Sequence, residues 1–436
     1  MERRNFIKGL ASAGITTLLP TGTLGSVLAS CTSSNLTDEF DFDKFIDRSG
    51  TWSIKYGRAT NGEIPMWIAD MDFATDPFVK AALSARIDRD VLGYTTTPPE
   101  FYDAIMSWIK NYHGYEVKRE WIGYAPGVIT GINQAYLTFT NPGDKIIVQP
   151  PVYDHFKLYI ERLGRLAVNN PMILENGKYQ MDFDGLEQLI DDQTKMLVLC
   201  NPSNPCGIHW ERETLARLAE ICERHGIIVI SDEIHSDLTL YGVQHVPFYS
   251  VSEAAARVGM VFSGPTKAFN LAGLSGTAYC VIPNKDLRER YTATLKNSKM
   301  DEASIPTLVA MIAAYREDTR WLEALKRYIE GNIQRTLDFF SENQMGMTAF
   351  RPSTSFLMWI DCRALGLSQD TTPQTFSVLP GCRSADGNRN PLPAQCCLRM
   401  SRAHRRAACP PVRDGLQNHN PWAIRRRGPV LPAESR

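Results

Sequence analysis

The sequence predicts an α/β protein built on a mostly parallel sheet that is covered by helices. Between about residues 100 and 290, short apolar and β-branched runs alternate with longer segments whose apolar residues recur at helical spacing. This alternation favours a parallel sheet with its active site at the carboxyl ends of the strands. The runs at 146–148, 196–199, 227–231 and 258–262 predict strands, and the segments 101–112 and 211–225 predict helices.

Length and composition place the chain among ordinary soluble enzymes. With 436 residues it can bury a large core and form two domains. A charged fraction of 22% and a net charge of -1 give no basis for expecting a nucleic-acid partner. The ten cysteines form neither a disulfide framework nor a cluster with zinc-ligand spacing, so no metal site is predicted.

The predicted site centres on Lys267, at the carboxyl end of the strand predicted at 258–262. A lysine in a loop is more often a solvated surface residue. At a strand end, however, it can form a Schiff base with an aldehyde cofactor when nearby groups lower its pKa. Asp232 follows the strand predicted at 227–231, where its carboxylate could pair with a protonated pyridine nitrogen. Asn204 lies in a turn forced by two Asn-Pro units and could donate to a phenolate oxygen.

Two further strand ends supply groups that suit the same kind of ligand. Tyr153 follows the strand predicted at 146–148, where its ring could stack on a flat cofactor. Gly127 opens a predicted helix through Val128 and Ile129, and the free backbone amides at such a helix start can hold a phosphate.

Taken together and in this order, these motifs resemble the pyridoxal-phosphate enzymes of the class I/II aminotransferase superfamily, fold type I. The narrower match is to the branch of cystathionine β-lyases and cysteine-S-conjugate β-lyases. The resemblance covers about residues 40 to 370. It is carried by PMWIADMDF from Pro65, GY ending at Tyr94, PVY ending at Tyr153, SDEIH ending at His235 and KAFNLAG from Lys267.

The resemblance implies a large domain with a mostly parallel seven-stranded sheet and a smaller α/β domain, here incomplete at its C-terminal end. It implies pyridoxal 5'-phosphate bound to Lys267, with His235 joining Asn204 near the phenolic oxygen. Ser263 and Thr266 would join the helix amides around the phosphate.

The resemblance also implies contacts outside the cofactor ring. Ala69 belongs to an N-terminal arm that would lie near the substrate carboxylate. Tyr94 would reach the cofactor phosphate of a neighbouring subunit, which implies a homodimer; a buried structural tyrosine is the alternative. Asp70 and Asp72 could be interpreted as an acid and base pair, but helix capping and turn formation explain their presence equally well.

The implied reaction is cleavage of L-cystathionine or a related cysteine S-conjugate to a thiol, pyruvate and ammonia. Lys267 would serve as the general base for the substrate Cα proton. Many aminotransferases carry an arginine a few residues beyond this lysine, whereas residues 272–277 contain none, which favours the lyase. An aminotransferase of the same fold remains an alternative. So does a catalytically impaired cofactor-binding or regulatory protein without a complete small domain.

The N-terminus predicts export. Arg3 and Arg4 resemble a twin-arginine signal, and Cys31 ends a stretch that resembles a bacterial lipoprotein cleavage site. We therefore expect a lipid on Cys31 that anchors the protein in the cell envelope. A disordered basic leader on a cytoplasmic protein is the alternative.

Residues 371–436 differ in character from the rest of the chain. They contain eleven arginines, nine prolines and no lysine, without a usable apolar period. A basic tail can bind nucleic acid or anionic lipid, but we favour the hypothesis that this stretch is read in a wrong frame. Within it Arg399 is a candidate for the arginine that binds the substrate carboxylate.

The sequence predicts five units: a signal at 1–31, a linker and arm at 32–80, a large domain at 81–300, a partial small domain at 301–370 and the tail at 371–436. Within the partial small domain it predicts helices at 303–328 and 332–340 and a strand at 355–361.

Overall fold

The computed structural model describes residues 39–57, 65–89, 91–175, 177–343 and 346–365. The predictions for Arg3, Arg4, Cys31, Arg399 and the tail lie outside the described residues. In the part that is described, no helix is both long and apolar enough to cross a membrane.

The described strands are β1 Ile122–Ala125, β2 Lys145–Val148, β3 Leu166–Asn169, β4 Ile173–Glu175, β5 Lys178–Gln180, β6 Thr194–Cys200, β7 Ile228–Asp232, β8 Gly259–Ser263, β9 Ala278–Val281, β10 Thr348–Ala349 and β11 Ile360–Asp361. Seven of them form the central sheet, in the order β1-β9-β8-β7-β6-β2-β3. The strands from β8 to β3 in this order run parallel, and β9 runs antiparallel to both of its neighbours. The predicted α/β fold with a mostly parallel seven-stranded sheet is therefore confirmed.

The central strands are apolar along their whole length because both faces of the sheet are buried. In β7, Val229 belongs to one hydrophobic cluster and Ile230 to the other. Val261 and Met260 divide in the same way in β8. Helices cover both faces. The described α-helices are Ile54–Gly57, Pro77–Ile87, Pro99–Trp108, Val128–Phe139, His155–Arg162, Phe183–Leu189, Arg212–Arg224, Glu253–Val258, Lys285–Asn297, Ile305–Ala314 and Arg320–Asn343.

The break between the last two helices lies elsewhere than the sequence predicts. The first helix ends at Ala314, and the next begins at Arg320 and continues unbroken to Asn343. Asp318 sets the new start, because its carboxylate accepts the backbone N–H of Arg320. Gly331 does not end the helix, because burial of the residues on either side of it compensates for the low helix propensity of glycine.

The strand predicted at 355–361 is also shorter than expected. Only Ile360–Asp361 pairs with β10. Ser355 has φ +69°, which is incompatible with a strand, and its N–H donates to the carbonyl of Leu238 in the large domain. Residues 353 and 355 are therefore hydrogen-bonded to the large domain and do not form part of a small-domain strand.

The order of the strands brings the predicted site residues together. β6, β7 and β8 are neighbours, and the loops that follow them carry Asn204, Asp232 to His235, and Lys267. β2 lies on the other side of β6 and leads into Tyr153.

Candidate active site

Asp232 ends β7 with its side chain buried. One carboxylate oxygen accepts the N–H of Ile234 at 3.0 Å. Burial raises the pKa of Asp232 to about 7, and the hydrogen bond from Ile234 and the charge of Lys267 oppose that rise only in part. A buried carboxylate of this kind is suited to a cationic partner such as a protonated pyridine nitrogen.

His235 lies three residues later and is also buried, and within the described residues a hydrogen bond is made by one of its two ring nitrogens. Its Nδ1 lies 3.0 Å from the hydroxyl of Ser355, and the ring of Phe356 packs edge-on at 6.1 Å. Its Nε2 is buried and has no hydrogen-bond partner within the described residues. Burial, together with the positive charge of Lys267, lowers the pKa of His235 to about 3, so the imidazole is neutral at physiological pH.

Lys267 reaches from the end of β8 to the N-terminal arm. Its Nζ donates to the carbonyl of Ala69 at 3.0 Å. The arm is anchored beside this contact by Lys55, whose buried ammonium donates to the carbonyl of Asp70 and to the carboxylate of Asp72 at 3.0 Å. Arg48 pairs with Asp70 at 3.2 Å. These two aspartates therefore anchor the arm through ion pairs.

Asn204 and Tyr153 border the same site from the neighbouring loops. The backbone N–H of Asn204 donates to the thiol of Cys200, while its Oδ1 is buried without a partner in the described part of the chain. Tyr153 stacks on His155 with ring centres 4.8 Å apart and meets Phe156 edge-on. Burial raises the pKa of Tyr153, so its ring stays neutral.

The helix Val128–Phe139 begins at Gly127, as the sequence predicts. Gly127 has φ +107°, which favours glycine, and no described side chain caps this helix start. Because the N–H of Gly131 is the first to bond within the helix, to the carbonyl of Gly127, the amides of Val128 and Ile129 remain available for an anion.

Ser263 and Thr266 have their hydroxyls engaged within the protein. Ser263 Oγ donates to the carbonyl of Glu233 at 2.9 Å. Thr266 Oγ1 lies 2.9 Å from the carbonyl and 2.8 Å from the hydroxyl of Thr277. Their predicted contact with a phosphate stays a prediction, and it requires these hydroxyls to exchange partners.

Tyr94 lies apart from this cluster. Its side chain is fully exposed, so the alternative of a buried structural tyrosine is wrong for the single chain. Exposed apolar side chains surround it in sequence, including Val91 and Leu92. An exposed position is compatible with a contact to a second subunit.

These features fit pyridoxal phosphate group by group. The buried Asp232 suits its pyridine nitrogen, and the unpartnered Nε2 of His235 suits its phenolic oxygen. The side-chain NH2 of Asn204 is a second candidate donor to that oxygen. The open helix start at Gly127 suits its phosphate, and Lys267 suits its aldehyde. Across the described ranges, no group of three or more His, Cys, Asp or Glu side chains is arranged to hold a metal ion.

Comparison with known proteins agrees with this geometry. The sequence model of the family described as Aminotransferase class I and II matches residues 64–382, well over half of the chain. The chain belongs to this family.

Within the aminotransferase class I and II family, the chain is similar to proteins named as lyases. It is 40% identical to cystathionine beta-lyase PatB of Bacillus subtilis over 75% of this chain and 86% of that protein. Cystalysin of Treponema denticola, whose structure contains pyridoxal 5'-phosphate, is 31% identical, with a TM-score of 0.74 over 77% of this chain and 87% of that one. The C-S lyase of Staphylococcus hominis, also with pyridoxal phosphate bound, is 28% identical, with a TM-score of 0.71 over 77% and 87% of the two chains.

Sequence reasoning missed Glu233, which lies between Asp232 and His235. Its buried carboxylate accepts hydrogen bonds from Asn201, Ser231, His245 and the backbone N–H of Phe248. It therefore ties the end of β6 to the end of β7. The sequence signal was present, since a glutamate in a run of buried residues requires partners, but nothing in the sequence identified those partners.

Proposed function

We propose that this protein is a pyridoxal-phosphate-dependent carbon-sulfur β-lyase that cleaves L-cystathionine or a related cysteine S-conjugate. The observation that carries the proposal is the 40% identity to a cystathionine beta-lyase over three quarters of the chain, in which the candidate cofactor residues meet at adjoining strand ends. The products are a thiol, pyruvate and ammonia.

Pyridoxal phosphate, when bound, supplies an electron sink that stabilises negative charge at the substrate Cα. Asp232 would hold the pyridine nitrogen protonated, and His235 and Asn204 would bind the phenolic oxygen. The amides of Val128 and Ile129 would bind the phosphate. Tyr153 would fix the plane of the ring.

Lys267 is the residue placed to move protons. Its amine would take the proton from the substrate Cα, which allows the Cβ–S bond to break with its electron pair on sulfur. The thiolate leaves with a proton. Water then hydrolyses the unsaturated amine that remains, which gives pyruvate and ammonia.

The test is pyruvate release from L-cystathionine by the full chain supplied with pyridoxal phosphate, with no keto acid added. We expect pyruvate release that is lost in Lys267→Ala. Transfer of the amino group only when a keto acid is supplied would instead establish an aminotransferase. Cofactor binding without either reaction would establish an impaired protein.

We also propose that the protein acts as a homodimer in which Tyr94 completes the site of the other subunit. The support is the full exposure of Tyr94 together with that of apolar side chains in the same N-terminal part of the chain, which a second subunit would cover. Trp52, Ile54, Val91 and Leu92 are the other strongly exposed members of this set.

Export as a lipoprotein is a further proposal, supported by the sequence of residues 1–31. Replacing Arg3 and Arg4 by lysine should leave the protein in the cytoplasm, and Cys31→Ser should release it from the membrane fraction. Unchanged fractionation of both variants would contradict the proposal.

A further inference from the structure

Residues 352–355 of the small-domain chain form a short segment that is hydrogen-bonded to the two loops that carry Asn204 and His235. The N–H of Ser353 donates to the carbonyl of Gly207 at 2.8 Å, and the N–H of Leu240 donates to the carbonyl of Ser353 at 2.9 Å. We refer to residues 352–355 as the connecting segment. It links the turn after β6 to the loop after β7.

The approach of this segment is unusually close at one point. A Cβ on Gly207 would meet Pro352 Cβ at 2.4 Å, so the contact requires glycine. Thr354 forms a bridge with Thr239 and is fully buried. The position of Ser355 is therefore determined by the large domain on both sides.

Ser355 itself has a left-handed backbone, with φ +69°. For a residue other than glycine this conformation is costly and persists only where the surroundings impose it. Here the N–H of Ser355 donates to Leu238, and its buried hydroxyl lies 3.0 Å from His235 Nδ1. The left-handed backbone of Ser355 thus places its hydroxyl within hydrogen-bond distance of His235 Nδ1.

We propose that Ser355 is a positioning residue that sets the tautomer of His235. Its hydroxyl donates to Nδ1, which keeps the ring proton on Nε2 and presents a donor to the phenolic oxygen of the cofactor. The small-domain chain thereby fixes a hydrogen bond in the large-domain site.

The direction of the hydrogen bond follows from the partners present. A neutral imidazole has one donor and one acceptor nitrogen. Within the described residues, His235 Nδ1 is the one acceptor recorded for the Ser355 hydroxyl. With the ring proton on Nε2, that N–H is the one buried group of this pair left without a partner in the described part of the chain. With the proton on Nδ1, the Ser355 hydroxyl proton and the Nε2 lone pair would both be unpaired, which is the more costly arrangement.

The inference rests on the proposed cofactor site but is first tested without cofactor or substrate. Nitrogen-15 shifts of the His235 ring in cofactor-free protein, assigned with His235→Gln, report the tautomer directly. We expect the proton on Nε2 in the wild-type protein and a mixture of tautomers in Ser355→Ala. A wild-type ring with its proton on Nδ1 overturns the proposal.

The second readout is the pH midpoint at which the visible absorption band of bound pyridoxal phosphate shifts, measured with no substrate. Ser355→Ala should raise this midpoint by about half to one pH unit, because a ring that no longer keeps its proton on Nε2 donates less to the phenolic oxygen and stabilises its negative charge less. Ser355→Gly should raise it equally, although glycine relieves the backbone strain. A shift in only one of the two variants would assign the effect to the backbone and overturn the proposal.

Ser353→Ala is the matched control from the same connecting segment. The Ser353 hydroxyl donates to Gly207 and accepts from the N–H of His209, and it does not contact His235. We expect the wild-type midpoint in this variant, and a shift equal to that of Ser355→Ala overturns the proposal.

In the His235→Gln background, Ser355→Ala should add no further shift of the midpoint, because the residue through which it acts is absent. Failure to release pyruvate, with these shifts intact, would refute the lyase and leave the positioning role standing.

Discussion

The Nζ atom of Lys267 lies 3.0 Å from the carbonyl oxygen of Ala69, a residue 198 positions earlier in the chain. This contact joins the end of β8 to the N-terminal arm. The arm is held in turn by Lys55, which binds both the carbonyl of Asp70 and the carboxylate of Asp72. The position of the candidate catalytic lysine therefore depends on an ion pair that lies outside the sheet.

Replacing Lys55 by methionine should lower the free energy of unfolding by about 3–5 kcal/mol, because the buried carboxylate of Asp72 loses its nearest cationic partner. Urea unfolding measures this change. Lys110→Met is the matched control, since Lys110 pairs with Glu116 on the surface, where solvent screens the pair, and its loss should be much smaller than that of Lys55→Met. Equal losses in the two variants would show that the arm does not depend on this pair.

The contact between Gly207 and Pro352 can be separated from backbone strain by a second glycine. Gly207 and Gly226 have φ +65° and +64°, but a Cβ on Gly226 meets nothing within 4 Å. Gly226→Ala should cost about 1–2 kcal/mol of unfolding free energy from strain alone. Gly207→Ala should cost about 1–3 kcal/mol more, because it displaces Pro352.

Thermal or urea unfolding of both glycine variants decides the point. Gly207→Ala should also weaken the binding of pyridoxal phosphate, since the displaced connecting segment carries Ser355. Identical stability and identical cofactor affinity of the two variants would contradict a tight junction at Gly207.

Asp232 predicts a specific dependence of stability on pH in the cofactor-free protein. Burial raises its pKa from 3.8 to about 7, so the folded protein keeps a proton that the unfolded chain has released. The resulting stabilisation is complete below pH 3.8 and is lost as the pH rises through about 7. Asp232→Asn does not titrate, so its stability relative to wild type should increase across this range, by up to about 4 kcal/mol.

Urea unfolding of the cofactor-free wild type and of Asp232→Asn, at about pH 5 and about pH 8, measures this difference. Excess pyridoxal phosphate should reverse the order at the higher pH, because the ionised carboxylate then gains a cationic partner that asparagine cannot bind. A stability difference that does not change with pH would place the pKa of Asp232 near its ordinary value.

The sequence predicted the strand ends well because buried strands leave a strong apolar signal. Lys267, Asp232 and Asn204 each follow such a run, and parallel strands place their ends at one edge. The contact between Ser355 and His235 could not be predicted, because it joins residues 120 positions apart through a left-handed backbone that serine rarely adopts. The helix break was misplaced because the contacts that determine it, the bond from the N–H of Arg320 to Asp318 and the burial on either side of Gly331, are not visible in the sequence.

The proposed exchange of Tyr94 between subunits predicts complementation between two inactive variants. Lys267→Ala and Tyr94→Ala chains should each release little pyruvate alone. After the two are unfolded together and refolded at equal ratio, half of the dimers are mixed, and each mixed dimer contains one site with both wild-type residues. Activity should then recover to roughly a quarter of the wild-type value per chain. If Tyr94 served its own subunit, each site of a mixed dimer would carry one defect, and refolding together would recover nothing.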